Sequence, residues 1–467
     1  MANPYLPEWE YIPDGEPRVF GDRIYVYGSH DRAGSDSFCD YVLKCWSAPV
    51  NDPGNWVCHG DIFRTGSEEG RPKDTDWTGP EHYLFAPDVV EKDGKYYLFA
   101  YIVNSKGCVA VSDRPEGPYK LLSQYEYTIS DEICCNGWFI DPGVLVDDDG
   151  RVYIYCGFEH SFLAEVNPKK MWEIKDGSCI EHFIPIVDDP DHGFVGKDTY
   201  FFEAASPRKL GSKGFELDFE LDEPYYMIYS PKRGSRLAYA TSASPTGPFR
   251  YRGYIVDNGV DYPGGNDHGS IAKIDGQWYV FYHRMTNGTI MSRRGCVERI
   301  EILPDGTIPP VEMTSLGFEK ALNPYRITPA DLACVLKNAK IEGDCRSFIT
   351  ERNAFERVIT NITDGTIIGY KYFDFGEDYS FDTMKFAVKY RGFGADATLH
   401  ILADSEDGEE IGSIKIGHEG GYVETVVKKL TGVHAIYFKI STEYSGWTAG
   451  FFENRNLLEL SEFVFMK

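Results

Sequence analysis

Short apolar runs separated by polar, glycine-containing turns dominate the first two thirds of the chain. In one unit, the apolar run 143–146 leads into the turn Asp149-Gly150, and the alternating run 152–155 follows it. An Asp-Gly pair between two apolar runs signals a β-hairpin, because both residues accept the left-handed backbone of a two-residue turn. The same order of features recurs in units that begin near residues 17, 86, 141, 203 and 269. The pattern predicts repeated antiparallel hairpins and very few helices.

The spacing of these units indicates how they assemble. They begin roughly 55–70 residues apart, in the range of propeller and solenoid repeats. A second repeat supports this period, since residues 112–119 resemble residues 242–249 and occupy the same place in their units. Five such units predict five blades around one axis, and thus a five-bladed β-propeller. The alternative is a set of meander sheets that do not form a ring.

The remainder of the chain has a different pattern. The repeat ends after residues 305–310, and alternating strands such as 384–390 and 434–440 appear further on, between polar, glycine-rich loops. A stretch of this kind favours a β-sandwich, here of jelly-roll type. We therefore predict an all-β protein that consists of a five-bladed β-propeller at residues 1–312, a linker at 313–335 and a β-sandwich at 336–467.

The net charge of the chain limits the kinds of macromolecule that it can bind. The 467 residues include 47 Lys and Arg against 73 Asp and Glu, which gives a net charge of −26 at pH 7. Such a field repels a polyanion such as nucleic acid, whereas it does not repel a neutral polysaccharide. The same charge keeps a large β protein soluble, which is the simpler explanation for most of it. We expect no nucleic-acid partner.

The N-terminal segment and the cysteines favour an intracellular protein. Residues 1–4 carry neither a basic region nor an apolar stretch, and no run of about 18 apolar residues occurs. The 11 Cys are odd in number and scattered, and Cys134 and Cys135 are adjacent. Secreted proteins rarely carry so many unpaired thiols, and the lack of a CxxC pair argues against a structural zinc. We predict a cytoplasmic protein with reduced thiols and no membrane contact, and no oligomeric state is predicted.

Four polar residues stand where the predicted blades begin. In a propeller, the innermost strand of each blade starts near one mouth of the central channel, so residues that open the repeats converge there. Asp14 precedes the first unit, and Asp141 opens the third. Glu203 opens the fourth unit and His268 the fifth. Three acids and a histidine around one cavity can perform acid–base chemistry.

Cleavage of a glycosidic bond needs such a set of groups. An acid protonates the leaving oxygen, and in an inverting enzyme a carboxylate roughly 6.5–9.5 Å away activates water on the opposite face of the sugar. A third carboxylate nearby raises the pKa of the acid by like-charge repulsion. Each acid also has a structural interpretation, namely a Pro-Asp-Gly turn for Asp14, an Asp-Pro turn for Asp141 and a paired buried acid for Glu203. Apolar residues stand on either side of the acids. They favour the catalytic interpretation over the structural one, because burying an unpaired charge is costly.

Several short motifs, in their order along the chain, resemble those of glycoside hydrolase family 43. They are the segments Pro13-Asp14-Gly15, Ala86-Pro87-Asp88, Ile140-Asp141-Pro142, Phe202-Glu203-Ala204, His268-Gly269-Ser270 and Asp305-Gly306-Thr307. The resemblance covers residues 1 to about 312. Many members have Ala-Asp-Pro at the first acid and Glu-Gly-Pro at the last, and these departures bear on the substrate more than on the mechanism.

The resemblance implies a reaction and a role for each residue. It implies a five-bladed propeller and an inverting, exo-acting α-L-arabinofuranosidase that removes arabinose side chains from (arabino)xylan-derived oligosaccharides, with β-xylosidase as a second activity. Asp14 is then the general base, Asp141 the pKa modulator and Glu203 the general acid. His268 lies beneath the site near a structural calcium, and no organic cofactor is implied. The alternatives are a main β-xylosidase activity and a sugar-binding protein without turnover; the three acids argue against the latter.

Further side chains are candidates for the wall of the cavity. Phe85 and Trp138 each stand just ahead of a repeat-opening motif, where an aromatic face can stack on a sugar or pack in the core. His30 follows the first hairpin strand, and a structural role fits it equally well. Arg294 lies where the resemblance implies a substrate-binding arginine, and its neighbour Arg293 is the alternative.

Residues from about 336 to 467 are similar to a family 6 carbohydrate-binding module. The similarity rests on the segments Gly369-Tyr370-Lys371-Tyr372, Gly421-Tyr422-Val423 and Gly432-Val433-His434. Tyr370, Tyr422 and Trp447 could stack on sugar rings, and a core position is the alternative for each. The module either binds carbohydrate or serves as a structural partner of the propeller.

Overall fold

In the computed structural model, the described residues form seven sheets and almost no helix. The structure describes residues 1–66, 71–104, 107–122, 139–338, 346–418 and 420–467. Five small sheets follow one another as far as Ile300, and two larger sheets form the C-terminal part. The predicted fold class, an all-β five-bladed propeller followed by a β-sandwich, is confirmed.

Each of the five small sheets is one blade, built as an antiparallel meander. Blade 1 comprises β1 (Glu16–Phe20), β2 (Arg23–Gly28), β3 (Val42–Pro49) and β4 (Val57–Arg64). Blade 2 comprises β5 (Leu84–Lys92), β6 (Lys95–Ile102), β7 (Cys108–Ser112) and β8 (Lys120–Leu121). Blade 3 comprises β9 (Gly143–Val146), β10 (Val152–Cys156), β11 (Phe162–Val166) and β12 (Ile180–Glu181). Blade 4 comprises β13 (Phe201–Lys209), β14 (Tyr225–Pro231), β15 (Arg236–Ser242) and β16 (Arg250–Asp257), and blade 5 comprises β17 (Ser270–Ile274), β18 (Gln277–Thr286) and β19 (Thr289–Ile300).

Side chains on both faces of a blade are buried against its neighbours. In β2, Tyr25 and Tyr27 pack toward blade 2, whereas Ile24 and Val26 pack toward blade 5. Successive residues of a strand point to opposite faces, so a strand that is buried on both sides is apolar throughout. This is why the sequence shows short continuous apolar runs.

Two buried ion pairs, and hydrogen bonds from their arginines to backbone carbonyls, link the first strands of all five blades near the axis. The Arg18 guanidinium of β1 donates to the Asp88 carboxylate of β5 at 2.9 Å and to the Val144 carbonyl of β9 at 3.0 Å. Arg208 of β13 donates to the Glu16 carboxylate of β1 at 2.7 Å and to the Ile271 carbonyl of β17 at 3.1 Å. Each of these buried charges therefore has a partner of opposite sign, which makes its burial tolerable.

The C-terminal part is a sandwich of two antiparallel sheets. One sheet contains β20 (Thr328–Pro329), β22 (Phe348–Asn353), β23 (Glu356–Ile362), β25 (Thr383–Gly392), β28 (Gly421–Lys428) and β30 (Leu458–Met466). The other contains β21 (Val335–Asn338), β24 (Thr366–Asp374), β26 (Ala397–Ala403), β27 (Glu410–Ile416) and β29 (Val433–Ser441). A one-turn helix, α1 (Ala449–Phe452), precedes β30. Aromatic rings fill the space between the sheets, among them Phe386, Phe438 and Phe463.

The predicted linker at 313–335 packs against both domains. The backbone N–H of Ser315 donates to the Lys371 carbonyl at 2.9 Å, and Phe318 lies in the core shared by blades 1 and 5. Strand β20 pairs with β30, so the sandwich begins within the predicted linker. Arg284 of β18 also donates to the Ala333 and Asp331 carbonyls, which fixes this segment on blade 5. Hydrogen bonds and packing by this segment thus hold the propeller and the sandwich together.

The three aromatic candidates of the sandwich differ in exposure. Tyr370 is fully buried and packs against Phe438 and Phe463, so it has the core position. Tyr422 is 56% exposed and Trp447 is 80% exposed. Only these two can meet a sugar ring.

Two features bear on the predicted compartment. None of the eight cysteines in the described part of the chain forms a disulfide there. No helix among the described residues has the length and apolar character to span a membrane. The cytoplasmic location stays a prediction.

Candidate active site

A cavity of about 500 Å³ opens at one end of the propeller axis. Its walls come from residues that precede or open the first strands of the blades, together with residues from neighbouring loops and from β19. It is lined by Asp14, Phe38, Cys39, Phe85, Ile140, Asp141, Phe158, Phe202, Glu203, Asn266, His268, Ile290 and Arg293. The structure therefore brings together Asp14, Asp141, Glu203 and His268, as the repeat pattern predicts.

The backbone is distorted at each of the three acids. Asp14 and Asp141 adopt left-handed φ values of 57° and 52°, just before the first strands of their blades. Such values are uncommon for residues other than glycine, and they concentrate at functional sites. Glu203 lies between two register shifts of β13, and the following Ala204 has a φ of 67°. Bulges of this kind redirect a side chain, here into the cavity.

The Asp14 carboxylate is held in its ionised form. Its Oδ1 accepts a hydrogen bond from Nη1 of Arg293 at 2.7 Å, and its Oδ2 accepts one from the Ser29 hydroxyl at 2.7 Å. Burial opposes ionisation, but the charge of Arg293 and the smaller effects of the neighbouring histidines and Ser29 outweigh it and lower the pKa of Asp14. A fixed carboxylate that is ionised at neutral pH is available to accept a proton from water.

A second carboxylate fixes Arg293. Asp31 accepts from Nε of Arg293 at 2.8 Å and from Nη2 at 3.0 Å, which leaves Nη1 for Asp14. The guanidinium also lies over the Phe38 ring, 4.9 Å from its centroid. Bidentate pairing fixes the plane of the guanidinium, so Asp31 acts as a positioning residue for Asp14.

The prediction that Arg294 lines the cavity is wrong, and the alternative, Arg293, does so. Adjacent residues of β19 point to opposite faces of blade 5. Arg293 faces the cavity, whereas the Arg294 side chain points toward the sandwich and pairs with Asp331 at 2.9 Å. Arg294 is therefore part of the contact between the domains.

Two buried histidines near Asp14 are neutral. Burial lowers the pKa of His268 to about 4 and that of His283 to about 3. Nδ1 of His268 lies 3.8 Å from Asp14 and 3.7 Å from Asp141. Nδ1 of His283 accepts from the backbone N–H of Asp14 at 3.4 Å, and its Nε2–H donates to the Asn266 carbonyl at 3.1 Å. These partners assign the proton to Nε2 of His283.

Asp141 and Glu203 form a pair of acids that, unlike Asp14, tend to stay protonated. Burial, followed by the charge of Asp14, raises the pKa of Glu203 to about 7. Burial and the charge of Glu203 raise the pKa of Asp141 well above its usual value. The backbone N–H of Ala204 hydrogen-bonds to Asp141, which places the two acids side by side. The cavity therefore combines an ionised acid with a protonated pair, the arrangement of a base facing an acid.

The residues around His268 do not fit a calcium ion. Calcium takes six to eight oxygen ligands. Three carboxylates near the axis are already paired with guanidinium groups: Asp14 with Arg293, Asp88 with Arg18, and Glu16 with Arg208. In the described part of the chain, no trio of metal-binding side chains surrounds His268.

The remaining candidates fall in three places. Phe85 lines the cavity. His30 does not line it, because its imidazole lies between the Glu10 and Asp40 carboxylates, at 3.2 Å from each. Trp138 lies outside the described residues.

The sequence interpretation missed several residues of the site. Asp31 follows His30 directly, and Phe202 adjoins Glu203, so motif context could have suggested both. Nothing in the sequence marks Phe158 or His283, which reach the site through the fold alone.

Comparison with known proteins identifies related molecules. Residues 66–177 match the model of the family described as glycosyl hydrolases family 43. A xylosidase/arabinosidase from Thermoclostridium stercorarium is 36% identical over 93% of this chain and 95% of its own length. The solved family 43 arabinoxylan arabinofuranohydrolase from Bacillus subtilis, in complex with cellotetraose, matches 100% of this chain and 97% of its own, at 21% identity and a TM-score of 0.52. A family 43 β-xylosidase/α-arabinofuranosidase from a compost microbial metagenome, solved with xylotriose in a calcium-free form, matches 67% of this chain and 97% of its own, at 27% identity and a TM-score of 0.52.

Proposed function

Because the chain belongs to glycoside hydrolase family 43, we propose that it is an inverting, exo-acting α-L-arabinofuranosidase that removes arabinose from xylan-derived oligosaccharides. The chain is a glycosidase, and its substrate is a carbohydrate of the xylan class. One observation supports the mechanism most directly. An ionised Asp14 and a protonated Glu203 face the same cavity of about 500 Å³. That volume suits one or two sugar units.

The proposed reaction uses three acids. Glu203 gives its proton to the glycosidic oxygen as the bond from that oxygen to the anomeric carbon breaks. Asp14 removes a proton from a water molecule, whose oxygen forms the new bond to the anomeric carbon from the opposite face. Asp141 lies beside Glu203 as the proposed pKa modulator, and burial together with the charge of Asp14 raises the pKa of Glu203 to about 7, so that it still carries a proton near neutral pH. Afterwards Glu203 regains a proton and Asp14 loses one to solvent, so the protein returns to its initial state.

A β-xylosidase activity of the same cavity is the second candidate. A terminal arabinofuranoside and a xylopyranoside present similar hydroxyl groups, so one pocket can accept both sugars. The name of the Thermoclostridium stercorarium relative includes both activities. Its match over 93% of this chain favours a shared pocket.

Two aryl glycosides test this proposal. We expect kcat/KM for 4-nitrophenyl α-L-arabinofuranoside to exceed that for 4-nitrophenyl β-D-xylopyranoside, with measurable turnover of both. A higher kcat/KM for the xyloside would make β-xylosidase the main activity. Binding of sugar without release of nitrophenol from either compound would favour the non-catalytic alternative.

The pH profile of kcat/KM should be bell-shaped. Glu203 must be protonated, so activity should fall as the pH rises through about 7, its raised pKa. Asp14 must be ionised, and its pKa lies below the usual 3.8, so the acid limb should appear only below about pH 4. A dinitrophenyl glycoside, whose leaving group needs no proton, should lose the alkaline limb. An activity that still rises between pH 7 and 9 would contradict the assignment of Glu203 as the acid.

A further inference from the structure

Two histidines and a glutamate meet on the outer part of blade 3. One ligand atom each from His160, Glu181 and His182 lies within 4.8 Å of the other two. The two imidazole rings are 5.1 Å apart between centroids, and Nε2 of His182 is 3.3 Å from the Glu181 carboxylate. Among the described residues, this is the one trio of histidine, cysteine or acidic side chains with such spacing. The group is separate from the cavity described above.

The His160 side chain carries a second indication of a ligand. Its Nδ1 is buried and has no hydrogen-bond partner among the described residues. A buried imidazole nitrogen without a partner is costly, and most such atoms in proteins are satisfied. A bound cation would satisfy a deprotonated nitrogen of this ring. The His182 and Glu181 side chains, which are 37% and 42% exposed, leave an entry path from solvent.

The backbone that carries the trio is held firmly. The Ser161 hydroxyl donates to the Ile184 carbonyl at 2.8 Å, and the Ile184 N–H donates to that hydroxyl at 3.0 Å. The His182 N–H donates to the Ser161 carbonyl at 2.6 Å, and His182 has a left-handed φ of 56°. A non-glycine residue in this conformation is maintained by its surroundings. The fold thus presents the three side chains together at some cost to the backbone.

We propose that His160, Glu181 and His182 bind a divalent transition-metal ion of the zinc type. Two imidazoles and one carboxylate suit zinc, whereas calcium prefers oxygen ligands alone. Tetrahedral zinc with bonds of about 2.0–2.1 Å places its ligand atoms about 3.3 Å apart, so small side-chain rotations close the trio around the ion. Water completes the coordination on the exposed side. The site uses no cysteine, which is why the lack of a CxxC pair does not bear on it.

The metal would hold a loop that forms part of the cavity wall. His160 belongs to the loop of residues 157–161, which we call the Phe158 loop. The Phe158 ring lies 4.9 Å from the Phe202 ring, and both line the cavity. The Glu159 N–H donates to the Phe202 carbonyl at 2.7 Å, and the Gly157 N–H to the Ile140 carbonyl at 2.9 Å. An ion that ties His160 to Glu181 and His182 therefore fixes the aromatic wall next to Glu203.

Metal titration of the full-length protein tests this site. Chelator-treated protein in a non-thiol reductant is titrated with zinc by calorimetry, and with cobalt by absorption spectroscopy. We expect one zinc per chain, and at least tenfold weaker binding in His160→Gln and in His182→Gln. The matched control is His434→Gln, because His434 also pairs with a carboxylate, that of Asp404 at 2.9 Å, but lies in the sandwich. The cobalt spectrum should lack the intense ultraviolet band of thiolate ligands.

The outcomes separate metal binding from its effect on the cavity. Zinc binding that is equal in the wild type and in the double variant His160→Gln/His182→Gln, or a thiolate band with cobalt, would refute the site. If the site is correct, zinc should lower KM for the turned-over aryl glycoside at least twofold in the wild type and not in His160→Gln. Binding at the trio without any change in KM would refute the link to the Phe158 loop. The binding measurements do not depend on hydrolysis, so they stand whichever glycoside proves to be the substrate.

Discussion

Replacing Glu203 by Gln or Asp14 by Asn should lower kcat by on the order of 10²–10⁴ or more, with the fold intact. An amide at position 203 has no proton acidic enough to give to the leaving oxygen. An amide at position 14 cannot take one from water. Both side chains keep their volume, so the cavity retains its shape. Hydrolysis of the aryl glycosides measures the loss.

The leaving group distinguishes the two variants. A dinitrophenyl leaving group departs without protonation, so Glu203→Gln should recover most of its kcat with such a substrate. Asp14→Asn should remain inactive with the same substrate, because water still lacks a base. Near-normal turnover in either variant with the nitrophenyl substrate would remove that residue from the mechanism.

Controls and stability measurements complete this experiment. Asp149→Asn and Glu173→Gln make the same chemical changes at solvent-accessible acids of blade 3, which pair with Arg151 and Lys170, and they should keep wild-type kcat within a few fold. Asp14→Asn weakens a buried ion pair, but Asp31 still pairs with Arg293 at 2.8 Å. We therefore expect a lower melting temperature and a folded protein, as circular dichroism would show.

The repeat pattern predicts the centre of the site because a propeller has a simple geometry. Residues that open successive repeats must converge at one mouth of the axis, whatever their distance along the chain. Asp14 and His268 are far apart in sequence, yet Nδ1 of His268 lies 3.8 Å from the Asp14 carboxylate. The five blades, three of which have an Asp-Gly turn between their first two strands, follow from the same local pattern.

The sequence leaves some features open, and at one of them, the choice of Arg294 over Arg293, the prediction is wrong. Strand β19 is buried on both faces around Arg293 and Arg294, so no alternation of polar and apolar residues shows which arginine faces the cavity. The ion pair of Arg18 with Asp88 joins different blades, and neither residue signals the other. The segment 313–335 lacks a periodic pattern, but its few apolar residues, such as Phe318, are enough to fix it to the propeller.

We expect hydrolysis to invert the configuration of the anomeric carbon. Asp14 belongs to blade 1 and Glu203 to blade 4, and blade 5 lies between them on the ring. His268 of blade 5 stands beside Asp14 at 3.8 Å. A retaining mechanism needs the two carboxyl groups only about 5–5.5 Å apart, whereas an inverting one leaves room for water between base and sugar. The placement on separated blades favours the wider arrangement.

The environment of Asp14 also favours a base over a nucleophile. Both of its oxygens accept hydrogen bonds, from Arg293 and from Ser29, each at 2.7 Å. A carboxylate so fixed is less free to form a covalent bond with the anomeric carbon. It can still accept a proton from a water molecule, because that transfer requires little movement.

Proton NMR of the first product tests the central claim most directly. The spectrum is recorded during the first turnovers, before mutarotation mixes the anomers. If Asp14 activates water and Glu203 protonates the leaving group, the first sugar has the anomeric configuration opposite to that of the substrate: β-L-arabinofuranose from the arabinoside, or α-xylose from the xyloside. First appearance of the retained anomer, or a glycosyl adduct trapped on Asp14, would contradict the mechanism.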